Sequence, residues 1–127
     1  MTAQENNLNW FEISVKDMKR AKKFYETIFG IKMEEQTMMG MHMAFFPYDP
    51  GSGKAAGGLC KSKMNKPSTA GVKVYLNGNP NMNKIISKIE KAGGKVTMPK
   101  TKISADIGHM AFFTDTEGNS VGLHSQK

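Results

Sequence analysis

An internal repeat is the feature that most restricts how this chain can fold. The two halves of the 127-residue sequence align at an offset of 64 positions, which pairs Asp17 with Asn81 and Gly30 with Gly94. The same offset aligns Met18 with Met82, Tyr25 with Ile89, Glu26 with Glu90, and Gly58-Leu59 with Gly122-Leu123. Because helix caps, helix stops and final strands agree together, the repeat is a stronger guide to architecture than local propensity.

The first half has the pattern of a strand, a helix and three further strands. Residues 8–15 alternate with the period of a strand, so that Phe11, Ile13 and Val15 share an apolar face. Asp17 can cap the helix that follows, and Gly30 can end it in the left-handed conformation. The apolar stripe of that helix contains Met18, Ala21, Tyr25 and Ile28. Three more strands are predicted at 31–38, 41–48 and 55–61.

The second half repeats this order after a polar linker at residues 62–71. A strand is predicted at 72–77, a helix capped by Asn81 and stopped at Gly93-Gly94, and strands at 95–102, 108–114 and 120–125. The sequence therefore predicts an α+β fold of two tandem βαβββ units, residues 8–61 and 72–125, within one domain.

Composition restricts the function classes. The formal net charge is +7, but the cations are 17 lysines spread along the chain and the single arginine Arg20. Nucleic-acid recognition relies heavily on arginine, so we expect no nucleic-acid partner and a basic surface that favours small anions. No apolar run is long enough for a membrane span. The lone cysteine, Cys60, and the absence of a signal-peptide pattern favour the cytoplasm.

Several motifs carry a family resemblance. They are Trp10-Phe-Glu-Ile, Asp17, Phe24-Tyr25, Phe29-Gly30, Gly57-Gly58-Leu59, Tyr75, Gly93-Gly94-Lys-Val, Gly108 and Asp115-Thr-Glu-Gly-Asn. On these residues the chain resembles the vicinal oxygen chelate superfamily of glyoxalase I, bleomycin-resistance proteins and extradiol dioxygenases, especially the bacterial subgroup related to lactoylglutathione lyase. The resemblance implies one domain over residues 1–127, in which each unit curves a mixed sheet around a cavity with its helix outside. It leaves the reaction open.

The resemblance also provides a test for a metal. Metal-using members take one ligand from the first strand and one from the last strand of each unit. Carried over at the repeat's offset, these positions are Trp10, Gly58, Val74 and Gly122. None of these side chains coordinates a divalent cation, so we expect no metal cofactor.

An alternative metal site follows from a shift of two residues, which keeps the same strand face. That shift brings Glu12, Cys60 and His124 into the cavity, where they would form a three-ligand site for a divalent metal. Cys60 is otherwise expected to be a buried, inert thiol.

The remaining candidates line the expected cavity. Glu12 is a candidate general base, or else a carboxylate paired with lysine or with backbone amides. His124 is its candidate acid–base partner, or else a solvated residue near the chain end. Trp10 is expected to stack a planar ligand or to serve in packing. Ser14, Cys60, Val74 and Gly122 complete the predicted small-molecule site.

These observations predict a glyoxalase-like small-molecule protein, and its function has two interpretations. In the first it is a lyase or isomerase that acts by proton transfer, with Glu12 as the base. In the second it is a non-catalytic binder of a small molecule or drug, similar to bleomycin-resistance proteins. Similar proteins are often homodimers, and we expect the same here.

Overall fold

The first half of the computed structural model, which describes residues 1–127, folds in the predicted order. Its elements are β1 (Trp10–Ser14), α1 (Met18–Phe29), β2 (Glu34–Met38), β3 (Met41–Phe45) and β4 (Ala56–Lys61). Helix α1 begins where predicted, because the Asp17 carboxylate accepts the Arg20 amide at 3.0 Å. It ends at Gly30, whose φ of 64° is left-handed.

The second half repeats this order with different lengths. Its elements are β5 (Tyr75–Asn77), α2 (Asn83–Ile89), β6 (Lys95–Ser104), β7 (Gly108–Thr114) and β8 (Ser120–Ser125). Helix α2 has seven residues against twelve in α1. Asn81 lies one residue further from this helix than predicted, although its side-chain oxygen still accepts the Asn83 amide at 3.0 Å.

Each unit forms a four-stranded mixed sheet of the same topology. The strand orders are β1-β4-β3-β2 and β5-β8-β7-β6, and in each sheet the first strand runs parallel to the last. Helices α1 and α2 contact each other, and their strands contribute to a shared core of 17 buried residues. We call the side of each sheet that packs on this core the helix face and the opposite side the open face. The predicted tandem α+β fold is confirmed.

Most of the predicted strand faces are correct. Ile13 and Val15 are buried in the shared core, and Phe11 packs against it. On the final strands, Leu59 and Leu123 are also in the core, which leaves their neighbours for the open face.

The prediction for β5 is wrong by one residue. Val74 packs against the core from the helix face, and Leu76 is buried in that core. Tyr75 lies opposite Gly122 in the parallel ladder, as Glu12 lies opposite Gly58. The reason is one extra residue between β5 and α2, which makes the repeat offset 63 over the first strands and 64 from the helices onward.

The turn between β7 and β8 joins the second unit to the first. The Glu117 carboxylate accepts the amides of Lys16 and Asp17 at 2.8 and 2.7 Å, and Arg20 Nε donates to it at 2.7 Å. Burial alone would raise the pKa of Glu117. The hydrogen bonds from Arg20 and the two amides outweigh burial and lower its pKa to about 2.

The same turn makes two more contacts with the first unit. The Tyr25 hydroxyl donates to Asp115 at 2.8 Å, and Asn119 Nδ2 donates to the Ser14 carbonyl at 2.7 Å. Complete burial, together with the neighbouring Asp115 charge, raises the pKa of Tyr25 well above its ordinary value. These buried polar bonds fix the position of β1 relative to the second unit.

Neither helix has the length and apolar character that a membrane-spanning segment requires.

Candidate functional site

A large cleft lies between the first strands of the two units. Its volume is about 1130 Å³, which is ample for an organic ligand of drug size. One wall comes from β1 and includes Trp10 and Glu12, and the other comes from residues 71–81, which include β5. Both first strands are at an edge of their sheets, so the cleft runs along one edge of each sheet.

Trp10 is the largest side chain on the β1 wall. Its ring packs edge-on against Phe45 and Tyr48, with centroid distances of 5.6 and 6.2 Å. It remains 37% exposed. The aromatic neighbours restrict the orientation of the indole, which leaves a fixed apolar surface at the cleft.

Glu12 is the one carboxylate that lines the cleft. Its Oε2 accepts a hydrogen bond from Trp10 Nε1 at 3.3 Å, and the position opposite it in the ladder is Gly58, which has no side chain. No lysine lies within ion-pair distance of it. The predicted pairing of Glu12 with a lysine is therefore absent, and the carboxylate is open to a bound molecule.

The β5 wall differs in chemistry from the β1 wall. The Tyr75 ring lies over Gly122. The two are so close that a Cβ atom at residue 122 would be 2.6 Å from the ring. Tyr75 also packs on Phe112, with ring centroids 5.4 Å apart. Lys73 lies two residues before Tyr75, and its ammonium group is 5.8 Å from the centre of the Phe112 ring.

Ser14 and Cys60 lie on the same face as Glu12, but part of the linker covers them. Asn65 Nδ2 is 3.4 Å from Ser14 Oγ, and its side-chain oxygen is 3.6 Å from the Cys60 sulfur. Burial and the nearby Glu12 charge raise the pKa of the Cys60 thiol, which keeps it protonated and unreactive. Ser14 lines the cleft, whereas Cys60 does not.

His124 lies on the open face of β8 and not at the cleft. Its Nε2 is 2.7 Å from the carbonyl oxygen of Ile107, so the ring is engaged with the β6–β7 connection. The structure therefore does not bring His124 to Glu12 as an acid–base partner.

The residues present do not form the donor set that a divalent cation requires. No three side chains of His, Cys, Asp or Glu are placed so that they could hold a metal ion, so Glu12, Cys60 and His124 do not assemble the alternative site. With β5 in its observed register, the second unit's counterpart of Trp10 is Lys73 instead of Val74. An ammonium at this position would repel a cation.

The sequence interpretation missed some residues of this site. An offset of 64 places Val74 in the cavity and so does not identify Lys73 and Asn77, because it assigns β5 to the wrong face. The signal was present: the alternation of Val74 and Leu76 with polar neighbours fits the observed face, and Pro80 marks an irregular connection before α2. Val74 still borders the cleft, but from the core side.

Comparison with known proteins extends the likeness across the chain. The model of the Glyoxalase/Bleomycin resistance protein/Dioxygenase superfamily matches residues 7–123. A glyoxylase-like domain-containing protein of Didymella fabae is 30% identical, with 89% of this chain and 88% of that protein covered. CFP32 of Mycobacterium tuberculosis, whose name describes it provisionally as a glyoxylase, is 27% identical over 91% of this chain. The chain spans 44% of CFP32's length.

Solved structures share the fold at low sequence identity. A glyoxalase/bleomycin resistance protein from Streptomyces sp. CB03234 superimposes with a TM-score of 0.68 at 21% identity, covering 94% of this chain and all of that one. Glyoxalase I from Zea mays has a TM-score of 0.66 at 21% identity, covering 93% of this chain and 44% of its own. At such identities the likeness extends to the fold alone.

Proposed function

Because the chain belongs to the glyoxalase/bleomycin resistance protein/dioxygenase superfamily, we propose that it binds a small organic molecule in the cleft between β1 and β5. The ligand contacts protein side chains directly, without a divalent cation held by the protein. Trp10 contacts an aromatic or apolar part of the ligand, and Ser14, Val74 and Tyr75 border the same space.

One observation carries this proposal. Trp10 is held by Phe45, Tyr48 and Glu12, yet more than a third of it is exposed at a cleft of about 1130 Å³. A restrained aromatic ring at a large cleft loses little conformational entropy on binding, which is the condition for a preorganised site. The positions that hold metal ligands in similar proteins carry Trp10, Gly58, Lys73 and Gly122 here.

A ligand screen tests the binding proposal. Protein dialysed against EDTA is screened by thermal shift against aromatic acids, phenols and heteroaromatic compounds. Binders should raise the Tm in a saturable manner, because a ligand that binds only the folded state stabilises it by mass action.

Two variants localise the effect. Trp10→Leu should weaken binding by about tenfold, the loss expected when a central aromatic contact is removed. Met39→Leu, at the exposed β2–β3 turn, should bind like the wild type. Saturable binding that is equal in all three proteins would place the ligand elsewhere and contradict the proposal.

Proton transfer is a second candidate function, because Glu12 is the cleft's one carboxylate and has no lysine partner. In this reading the protein is a lyase or isomerase in which Glu12 removes a proton next to a carbonyl group. No histidine lines the cleft, so the returning proton comes from Glu12 itself or from water.

If the protein is an enzyme of this kind, its turnover should depend on the Glu12 carboxylate. Glu12→Gln should reduce the rate at least about a hundredfold while ligand-induced thermal shifts persist, since the amide keeps the shape but not the basicity. Glu34→Gln, an exposed change on β2, is the matched control. Full activity of Glu12→Gln would exclude this role for Glu12. If the wild type turns over neither hemithioacetals nor ketones, the enzyme function is excluded and small-molecule binding remains.

The cytoplasmic location and the homodimer stay predictions. Gel filtration with light scattering tests the second, with a mass of twice 14.0 kDa expected.

A further inference from the structure

Three asparagines on the second-unit side of the cleft share a hydrogen-bonding pattern. The side-chain oxygen of Asn77 accepts the Asn79 amide at 2.9 Å, and that of Asn79 accepts the Gln126 amide at 2.8 Å. The oxygen of Asn81 accepts the Asn83 amide at 3.0 Å. All three residues line the cleft, and their NH₂ groups donate to no other atom of the chain. These contacts use the acceptors and leave the donors free.

Most of the charged side chains around the cleft are also hydrogen-bond donors, and they are positively charged. Lys66, Lys73 and Lys84 line it, and none lies within 4.0 Å of a carboxylate. Lys73 donates to the Thr69 carbonyl at 3.1 Å, which holds its ammonium near the β5 wall without neutralising it. Glu12, on the opposite wall, is the one acidic residue of the lining. The second-unit side is therefore rich in hydrogen-bond donors and positive charge.

We propose that the cleft selects an organic anion, a carboxylate or phosphate carried on an apolar body. This inference rests on the proposed function, because it names the ligand class for the same cleft. The anionic oxygens bind the free NH₂ groups of Asn77, Asn79 and Asn81 and the nearby ammonium groups, while the apolar body packs toward Trp10.

The chemistry of the donors supports this class of ligand. Asparagine NH₂ groups and ammonium groups are satisfied only by acceptors, and hydrogen bonds to an ionised acceptor are roughly twice as strong as neutral ones. A neutral apolar ligand would leave these donors without partners when it displaced water. Lys73, which stands where similar proteins place a metal ligand, supplies positive charge from the protein itself.

Matched naphthalene ligands test the inference. Isothermal titration calorimetry at low ionic strength compares naphthalene-1-acetate, 1-naphthyl phosphate and the neutral naphthalene-1-acetamide. At least one anion should bind about tenfold more tightly than the amide, a difference that charge-assisted contacts readily supply. The two anionic arms show whether carboxylate or phosphate is preferred.

Two variants assign the preference to the proposed donors. Asn77→Asp keeps the oxygen that accepts the Asn79 amide but replaces the free NH₂ with a negative oxygen, so it should abolish the preference for anions. Lys84→Met should reduce the preference, whereas Lys88→Met, one turn along α2 and outside the cleft, should not.

The outcomes separate this inference from the proposed function. Equal affinity for the amide and both anions overturns the anion inference and leaves small-molecule binding intact. An anion preference that survives both Asn77→Asp and Lys84→Met also overturns it, since the anion then binds elsewhere. Failure of all three naphthalenes to bind overturns the anion inference, whereas the proposed function is decided by the thermal-shift screen described above.

Discussion

The first strands of the two units occupy equivalent places but have different chemistry. In β1, Trp10, Glu12 and Ser14 face the open side, and Glu12 lies opposite Gly58. In the second unit, the equivalent residues are Lys73, which precedes β5, and Tyr75 and Asn77 within it, with Tyr75 opposite Gly122. The duplicated backbone thus supplies one wall with an indole and a carboxylate and another with an ammonium, a phenol and an amide donor. The repeat determines where side chains meet, and the individual residues determine what they bind.

The connections that follow the third strands show a second difference. In the second unit this is the β7–β8 turn, which reaches the first unit through Glu117, Asp115 and Asn119. In the first unit it is residues 46–55, where the side chain of Asp49 bonds within its own loop. The link between the units is therefore asymmetric. Removing the contacts of the β7–β8 turn should lower stability far more than removing those of the loop at residues 46–55.

The largest expected effect comes from Glu117→Ala. The change leaves the Lys16 and Asp17 amides without their buried acceptor, so unfolding should be easier by about 3 kcal/mol, which lowers the Tm by roughly 10 °C. Thermal unfolding followed by circular dichroism measures it. Asp49→Ala in the first unit's loop is the matched control, and its free energy of unfolding should stay within about 0.5 kcal/mol of wild type. Equal losses of stability in the two variants would contradict the proposed asymmetry.

The pH dependence of stability should show the same link. Folding lowers the pKa of Glu117 from its ordinary value of 4.5 to about 2, so its stabilisation is present above pH 4.5 and is lost as the pH falls toward 2. Urea midpoints of wild type and Glu117→Gln should therefore differ at pH 6 and converge near pH 2. A constant difference between the two urea midpoints over this range would show that the charge of Glu117 is not the source of the stabilisation.

Alanine at the two paired glycines should distinguish the two sheets. A Cβ at Gly58 would lie 2.6 Å from the backbone oxygen of Ala44, whereas a Cβ at Gly122 would meet the movable ring of Tyr75. Gly58→Ala should cost about 2 kcal/mol and Gly122→Ala about 1 kcal/mol, because a side chain yields more easily than a strand. Urea unfolding gives both values, and the reverse order would contradict the structure.

The two helix caps should show the smallest difference in stability between the units. Asp17 accepts an amide directly within the first turn of α1, whereas Asn81 lies one residue further from α2. Asp17→Ala should cost about 1 kcal/mol and Asn81→Ala roughly half of that. Chemical unfolding measures the pair, and equal costs would indicate that the extra residue in the β5–α2 connection does not weaken the cap.

The fold was predictable because its signals are local and repeated. Asp17 and Gly30 mark the ends of α1 correctly, and the alternation around Ile13 gives the correct face of β1. In β5, one inserted residue reverses the face of a three-residue strand, and a short strand offers little alternation with which to detect the slip.

The contacts between the units and the candidate site were less predictable, because both depend on residues that are distant in the sequence. Glu117 belongs to a recognisable turn, but its bonds to Lys16 and Asp17 cross about a hundred positions of sequence. His124 shares a strand face with Gly122, yet its ring is held by the Ile107 carbonyl. The free donors of Asn77 and Asn79 follow from which oxygen accepts which amide, and this is visible only in the folded chain.

The most direct test compares ligand affinity with and without a divalent cation. Calorimetry measures the Kd of naphthalene-1-acetate for protein treated with EDTA and for the same protein supplied with one equivalent of Zn²⁺ or Ni²⁺. The side chains of β1 and β5 are proposed to do the binding, so the two Kd values should agree within about twofold. Binding that requires the cation, or that becomes more than about tenfold tighter with it, would contradict this account.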